Sequence, residues 1–391
     1  MTEKTPIRIL FVSEPGRYGV FLVVQQLIRF MHTRHPEISV DLAYSSRRSW
    51  PATAELAEEV RAHGGEAIDL NVGNAPELRD FPALLHLRKL IRRRRPQLIH
   101  CHSSKAGGLC RLLAALPGMP PVLYSPNAYY GMAKTGGKKE KFFNWIESWF
   151  GRTGHSHVVS ADERRFGLEI LKLPPRSLIL INNGIATERF TAADAGQKNT
   201  ARDQLGIPRE GKLLITTGRD SAQKNYAPLY AALNRLMVAD PKIFFAHAGS
   251  GSEQLRAGLA PAQRPRCFAY EFMADVRPLL WAADGFILTS FYEGLSVAML
   301  EAVSCGLPLL LTDAPGIAGM GKYGLDIDWL PNPKTCDHFE AEVLQALTAW
   351  SRRPTPARPA QHAAARQHFN ASTQADKVVR TYRWLIQTRK S

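Results

Sequence analysis

The stretch FYEGLSVAMLEAVSCGLPLLLTDAPG, residues 291–316, reads as a turn, an apolar helix and a buried strand in quick succession. Gly306 and Pro308 end the helical run, and LPLLLTDA then stays apolar without alternation, as a strand covered on both faces does. A helix that hands over directly to such a strand belongs to a parallel α/β sheet. Two carboxylates interrupt this pattern. Glu293 stands in the turn beside Gly294, and Glu301 lies inside the helix eight residues further on. A surface helix needs no such arrangement.

Outward from this segment the same alternation continues. KLLITTGR, IFFAHAGSG and DGFILTSF read as strands, with NYAPLYAALNRLM as a helix among them. The N-terminal half has the pattern as well. There IRILFV, ISVDLAYSS, PQLIHCHSS, PVLYSPN, HSHVVSA and LILINNGI read as strands, with VFLVVQQLIRFMH and KAGGLCRLLAAL as helices. This alternation predicts an α/β protein of two doubly wound, Rossmann-like domains in series. The boundary falls near Asn183 and Gly184, giving domains at residues 1–183 and 184–371. SRRPTPARPAQ, residues 351–361, reads as a surface linker, and residues 372–391 as a closing helix that packs back on the N-terminal domain.

A chain of 391 residues is too long for one ordinary core, which agrees with two domains. Its 45% hydrophobic and 22% charged residues are the balance of a globular chain and exclude a disordered one. No apolar run reaches the roughly 18–20 residues that cross a bilayer. MTEKTPIRILFVSEPG lacks the long apolar segment of a signal peptide. Five scattered cysteines without a Cys-x-x-Cys read as free thiols in a cytosolic protein.

The net charge of +15 lies mainly in the N-terminal half, where residues 1–185 carry 26 Lys and Arg against 16 Asp and Glu. Two clusters dominate it. In LLHLRKLIRRRRP, residues 84–96, the arginines suit a helix C-terminus before Pro96. In KTGGKKEKFFNWIESWFGR, residues 134–152, lysines accompany Phe142, Phe143, Trp145 and Trp149. Such a helix either docks its aromatic face into the core or anchors on an anionic membrane surface. No nucleic-acid recognition module accompanies the charge, so nucleic acid is not an expected partner.

Ligands of doubly wound sheets bind beyond the carboxyl ends of the strands, so the loops there are where chemistry is expected. GRDSAQKN puts Arg219 at a strand end and Lys224 at the start of the next helix, two cations suited to a diphosphate. In YEGLS, the amides of Gly294, Leu295 and Ser296 open the helix that holds Glu301, an anion-binding N-terminus. Glu301, about two turns on, is placed to accept both hydroxyls of a ribose, while Glu293 meets the sugar end of the same molecule. A nucleotide-sugar answers all of these groups at once. His100 and His102 alternate on one strand face as metal ligands would, but without a third ligand nearby they read as core histidines and no metal is expected. Ser103 and Ser104 cap the following helix and leave Lys105 facing a cleft.

Together these segments resemble glycosyltransferase family 4, retaining enzymes of the GT-B fold. EGLSVAMLEAVSCGLP is similar to the family's Glu-x7-Glu signature, and GRDSAQKN to its phosphate-binding Gly-Arg…Lys segment. LINNGIATERF resembles its Asn-Gly interdomain loop, and RPQLIHCHSSKAGGLCRL a segment of members that build bacterial surface polysaccharides. The resemblance runs over essentially the whole chain. It implies two Rossmann-like domains facing each other across a cleft, the N-terminal one binding acceptor and the C-terminal one donor. It also implies a UDP- or GDP-sugar donor, retention at the anomeric carbon, and neither metal nor other cofactor. Carried over by position, Glu293 contacts the donor sugar and Glu301 the ribose. Arg219, Lys224 and the amides of Leu295 and Ser296, beside Gly294, hold the diphosphate, which Gly19 approaches from the first loop. Lys105 and Tyr18 fall on the acceptor side. The expected acceptor is a polyprenyl-diphosphate-linked glycan at the anionic cytoplasmic face of the membrane, making the enzyme peripheral there.

Two departures qualify the match. PGRYGV separates Gly16 from Gly19 where the family has adjacent glycines. In YSPNAYYGM, Asn127 takes a catalytic position where many members carry histidine. Asparagine can bond a sugar hydroxyl but cannot take a proton, which leaves the departing phosphate to accept it. A GT-B-like epimerase or hydrolase would need an acid–base pair that is not evident. A non-catalytic sugar-nucleotide-binding protein has only Asn127 in its favour.

Overall fold

The apolar runs become parallel strands of two separate sheets in a computed structural model, which describes residues 6–73, 77–78, 80–152, 154–354 and 359–388. Residues 355–358 of the expected linker lie outside the described residues. The chain divides into one unit of Met1–Gly184 with Ala371–Ser391 and a second of Ile185–Asn370. The first unit therefore takes both ends of the chain.

In the first unit, strand β1 (Ile7–Ser13) leads to helix α1 (Tyr18–Arg34), β2 (Ile38–Tyr44), α2 (Pro51–Ala62), β3 (Ala67–Asp69) and α3 (Asp80–Arg94). Then come β4 (Leu98–His102), α4 (Ser104–Ala114), β5 (Val122–Ser125), α5 (Lys138–Gly151), β6 (His155–Val158), α6 (Ala161–Glu169) and β7 (Leu178–Leu180). Among the described residues these strands form one seven-stranded sheet in the order β3-β2-β1-β4-β5-β6-β7, with every pairing parallel. Ile9, Leu10, Phe11 and Val12 are consecutive and all fully buried. Consecutive strand residues point to opposite faces, so helices must cover both sides of β1.

In the second unit the order is α7 (Ala195–Leu205), β8 (Lys212–Thr217), α8 (Tyr226–Ala239), β9 (Ile243–Ala248), α9 (Ser252–Ala257), β10 (Cys267–Tyr270) and α10 (Arg277–Ala282). It continues with β11 (Gly285–Leu288), α11 (Val297–Ser304), β12 (Leu309–Thr312), β13 (Ile327–Leu330), α12 (Phe339–Arg352) and α13 (Pro359–Phe369). The sheet runs β10-β9-β8-β11-β12-β13, again parallel throughout. Leu229, Leu233 and Leu236 of α8 share a core with Val343, Leu347 and Trp350 of α12. Each fully buried side chain of this kind contributes about 1.5–3 kcal/mol.

The closing helix α14 (Ala371–Thr388) belongs to the first unit, where it packs on α1 and β4. Its buried Ala375, Val378, Val379, Tyr382 and Leu385 recur at helical spacing and form a single apolar stripe. Polar contacts fix its register. The Tyr382 hydroxyl lies 2.6 Å from His100 Nδ1, Asp376 3.3 Å from His35, and Arg383 2.5 Å from Glu37.

Strand order reverses between β1 and β4 in the first sheet, and between β8 and β11 in the second. Loops leaving such a pair of strands turn to opposite sides and open a crevice at their carboxyl ends. The segments singled out from the sequence leave these strands: SEPGRYG follows β1, HSSKAG begins in β4, GRDSAQKN follows β8, and TSFYEGLS follows β11.

Candidate functional site

At the switch point of the second sheet, residues 218–225 lie beside residues 289–296. Thr289 Oγ1 donates to the Lys224 and Asn225 carbonyls, Phe291 N–H to the Gln223 carbonyl, and Gln223 Nε2 to the Tyr292 carbonyl. Lys224 and Glu293 meet within this lacing, Nζ to Oε1 at 2.8 Å. Ser290 Oγ donates to the same Oε1 at 2.8 Å, so the carboxylate is fixed through one oxygen. The other oxygen lies only at 3.5 Å from Gln223 Nε2, too long for a strong bond. Burial pulls the proton off the Lys224 ammonium, but Glu293 outweighs it and its pKa stands above the ordinary value. An ammonium has three donors, so Lys224 keeps protons for further acceptors. Arg219 is exposed beside it and adds a second positive charge.

Close backbone approaches build this corner. Gly316 holds φ 84°, and a Cβ there would stand 1.9 Å from the Glu293 carbonyl oxygen, so only glycine can back the Glu293 turn. Gly249 is similar, with the Gly218 carbonyl at 2.0 Å from its would-be Cβ. That carbonyl also meets His247 Nε2 at 2.7 Å, while His247 Nδ1 meets the Tyr230 hydroxyl at 2.9 Å. Burial pushes the His247 pKa down to about 4, so the ring is neutral and donates from Nε2. No sequence signal beyond a histidine in a strand points to this role.

Ser296 is the N-cap of α11 and accepts from Met299 N–H at 3.4 Å. The first turn of α11 carries no acidic residue, so its N-terminus keeps its attraction for an anion. Gly294 and Leu295 precede it, both buried. Glu301, on the same helix, is also buried, and its carboxylate has no hydrogen bond or ion pair among the described residues. Burial, then the charge of Asp275, raises its pKa to about 8. Asp275 is a further residue that the sequence did not bring forward.

The first unit holds the remaining candidates. Arg17 caps α1 without a side-chain bond, and Tyr18 opens the helix at φ 63°, left-handed backbone that an aromatic residue rarely adopts. The Tyr18 ring rests edge-on against Trp50 at 5.1 Å. Gly19 lies in the first helical turn, partly exposed. Asn127 follows β5 with φ 54°, and its Nδ2 donates to the Ser125 carbonyl at 3.0 Å.

Two expectations need correction. Lys105 does not face an open cleft: its side chain is 7% exposed and its ammonium lies 2.6 Å from Asp80 at the start of α3. Ser103 alone caps α4, and Ser104 is already the first helical residue. The pair His100 and His102 does share a strand face, with ring centroids 4.1 Å apart. However, His100 is engaged by Tyr382 and, at 2.8 Å, by Ser125, which is the work of a core residue.

Helix α5 docks by its polar side. Buried Glu147 pairs with Arg111 of α4 at 2.8 Å and accepts from the Tyr124 hydroxyl at 3.0 Å. Its aromatic face points away: Phe142, Trp145 and Trp149 are 56%, 64% and 57% exposed. The alternative of an aromatic face turned into the core is thereby excluded for these three. Of the arginines ending α3, Arg93 pairs with Glu66 and Arg94 with Asp41, while Arg92 and Arg95 are exposed.

Residues 18–189 match the model of glycosyltransferase family 4, and residues 211–349 that of glycosyl transferases group 1. Among curated proteins, the chain is 27% identical to the Escherichia coli UDP-Gal:alpha-D-GlcNAc-diphosphoundecaprenol alpha-1,3-galactosyltransferase, over 72% of this chain and 73% of that one. It is 24% identical to the Xanthomonas campestris GDP-mannose:cellobiosyl-diphosphopolyprenol alpha-mannosyltransferase, over 62% of this chain and 63% of that one. Among solved structures, Anabaena HepE in complex with UDP-glucose superposes with a TM-score of 0.76 over 96% of this chain and 98% of that one, at 17% identity.

Proposed function

We propose, for a chain that is a family-4-like glycosyltransferase of GT-B fold, the retaining transfer of a hexosyl or N-acetylhexosaminyl group from a nucleotide-sugar to a polyprenyl-diphosphate-linked glycan. The observation that carries this reading is the Lys224–Glu293 pair at the switch point of the second sheet, beside the N-terminus of the helix that holds Glu301. Both curated relatives named above are described by a polyprenyl-diphosphate acceptor, one with a UDP-sugar and the other with a GDP-sugar.

In this reading the spare protons of Lys224, with Arg219 and the α11 amides, neutralise the donor diphosphate and make a metal ion unnecessary. Glu301 takes the ribose hydroxyls. The second oxygen of Glu293, held only weakly by Gln223, takes a sugar hydroxyl, while Lys224 and Ser290 prevent the carboxylate from turning. Asn127 binds the reacting sugar as a hydrogen-bond partner. The acceptor hydroxyl attacks the anomeric carbon from the face that the diphosphate leaves, its proton passing to the departing phosphate oxygen.

A lipid-linked acceptor requires the enzyme to reach a membrane surface, and α5 supplies the means. Phe142, Trp145 and Trp149 form its exposed stripe, with exposed Lys138 and Lys141 beside them. No described helix is long and apolar enough to cross a membrane. In this reading the protein binds at the cytoplasmic leaflet as a peripheral enzyme.

The deciding experiment incubates the protein with labelled UDP- and GDP-sugars and membrane lipid extract, with and without EDTA. Label should enter lipid from one donor in both conditions, and Glu293→Ala should nearly abolish it. Wild-type turnover in that variant removes the proposed site, and loss of activity in EDTA removes metal independence.

A further inference from the structure

Two consecutive residues after β5 hold left-handed backbone, Asn127 at φ 54° and Ala128 at φ 92°. Asparagine tolerates this region, but alanine gains nothing from it and is strained there. Such strain persists only where the surroundings enforce it. Here the enforcing group is Glu163, a fully buried carboxylate in the first turn of α6. The segment SADE has the form of a capping box, and Ser160 Oγ does accept from Glu163 N–H at 3.1 Å. In a closed box the glutamate would return to the Ser160 N–H. Instead Oε2 accepts from Val159 N–H at 2.6 Å, and Oε1 crosses to Ala128 N–H at 2.7 Å. One carboxylate thus ties together the loops leaving two paired strands, β5 and β6.

We propose that Glu163 is a positioning residue, clamping the turn at residues 127–128 so that Asn127 is presented to the reacting sugar. This rests on the assignment of Asn127 made above. Asn127 commits one Nδ2 proton to the Ser125 carbonyl, and its Oδ1 is the acceptor the amide offers. Only the ionised carboxylate can accept from both amides; protonation turns one oxygen into a donor aimed at an N–H. The charged groups around Glu163 are Glu147 of α5, itself paired with Arg111 of α4, and on its own helix Asp162, 3.4 Å from Arg165. The buried Tyr129 hydroxyl also lies close. Burial raises the Glu163 pKa, the two amides lower it, Glu147 raises it again, and it settles at about 7. The clamp therefore works above neutrality and loosens below it.

The test uses the full-length protein. Hydrogen exchange at pH 8, read by mass spectrometry, should be about tenfold faster in Glu163→Gln than in wild type for peptides spanning residues 126–130 and 157–161. Protection equal to wild type overturns the clamp. Should that variant fail to fold, Glu163→Asp takes its place: the shorter carboxylate reaches one loop, so one of the two peptides should lose protection and retention of both overturns the clamp. In transfer assays with labelled sugar nucleotide and lipid-linked acceptor, wild-type kcat/KM for acceptor should rise with pH through a midpoint near 7. In Glu163→Gln it should be about tenfold lower at pH 8 and lack that rise, while UDP or GDP binding is unchanged. Persistence of the rise in this variant, or an equal loss of nucleotide binding, overturns the positioning role. Asn127→Ala should lose transfer while both peptides stay protected. Wild-type transfer by Asn127→Ala overturns the positioning role through its premise and leaves the donor site standing.

Discussion

Glu301 and Lys224 show how differently burial acts on acid and base. Lys224 has Glu293 at 2.8 Å and stays charged; Glu301 has no partner among the described residues, and burial raises its pKa to about 8. A ribose supplies two donors, which the ionised form accepts and the protonated form cannot. UDP or GDP binding should therefore strengthen as pH rises from 7 to 9, with proton release visible when calorimetry is repeated in buffers of different ionisation enthalpy. Glu301→Gln should bind about tenfold more weakly, about 1.4 kcal/mol, without that pH dependence. Unchanged proton release in the variant would assign it to another group. Glu301 was legible in the sequence because a carboxylate stands out within an apolar helix, and Glu293, Arg219 and Lys224 because they stand in the loops that follow β11 and β8. Glu163 and His247 were not. Their partners Ala128 and Gly218 lie 35 and 29 residues away, so their roles exist only once neighbouring strands are paired.

At the level of elements, what the sequence concealed is systematic. β3, β10 and β13 carry no clear strand signature in the sequence, and all three are edge strands of three or four residues with at least half of their positions not fully buried. An edge strand has one neighbour, so its apolar run is short and loses the pattern of a central strand. The inner strands announce themselves because burial on both faces demands continuous Val, Ile and Leu. α5 shows the converse: composition alone left its aromatic face either inward or outward, and the Glu147–Arg111 pair decides it by using the other side of the helix. Binding to anionic liposomes should be strong at low salt and largely reversed at high salt, since the Debye length shortens from about 10 Å at 0.1 M to about 3 Å at 1 M. Replacing Trp145 and Trp149 with Ala should weaken the salt-resistant part; replacing Lys138, Lys139 and Lys141 should weaken the salt-sensitive part. Indifference of the wild-type protein to anionic liposomes at low salt would remove α5 from the membrane.

For the whole molecule, buried titratable groups set opposing pH limits. Burial holds His102 at about 3 and His157 and His247 at about 4, so the unfolded chain binds more protons below about 6.5 and stability falls as pH drops through that window. Glu163 and Glu301 are raised to about 7 and 8, so their contribution is full below about 4.3 and is lost as pH rises through 7 to 8. Each group gives a slope of at most about 1.4 kcal/mol per pH unit. Melting temperature should peak near pH 6.5, and Glu163→Gln with Glu301→Gln should flatten the alkaline side; an unaltered alkaline side would place its origin elsewhere. The two-unit division was readable from the restart of the strand–helix pattern, whereas the packing of α14 depends on Tyr382 finding His100, 282 residues away in sequence. That return has a consequence for biosynthesis. The chain enters the second unit at Ile185 and leaves it at Asn370, residues joined as a β-bridge, so the second unit is complete before α14 emerges from the ribosome. The first unit, although begun first, must wait with the seat of α14 on α1 and β4 uncovered until residues 371–388 have been made. The half translated earlier is thus closed after the other, and during that interval its uncovered apolar surface is exposed to aggregation.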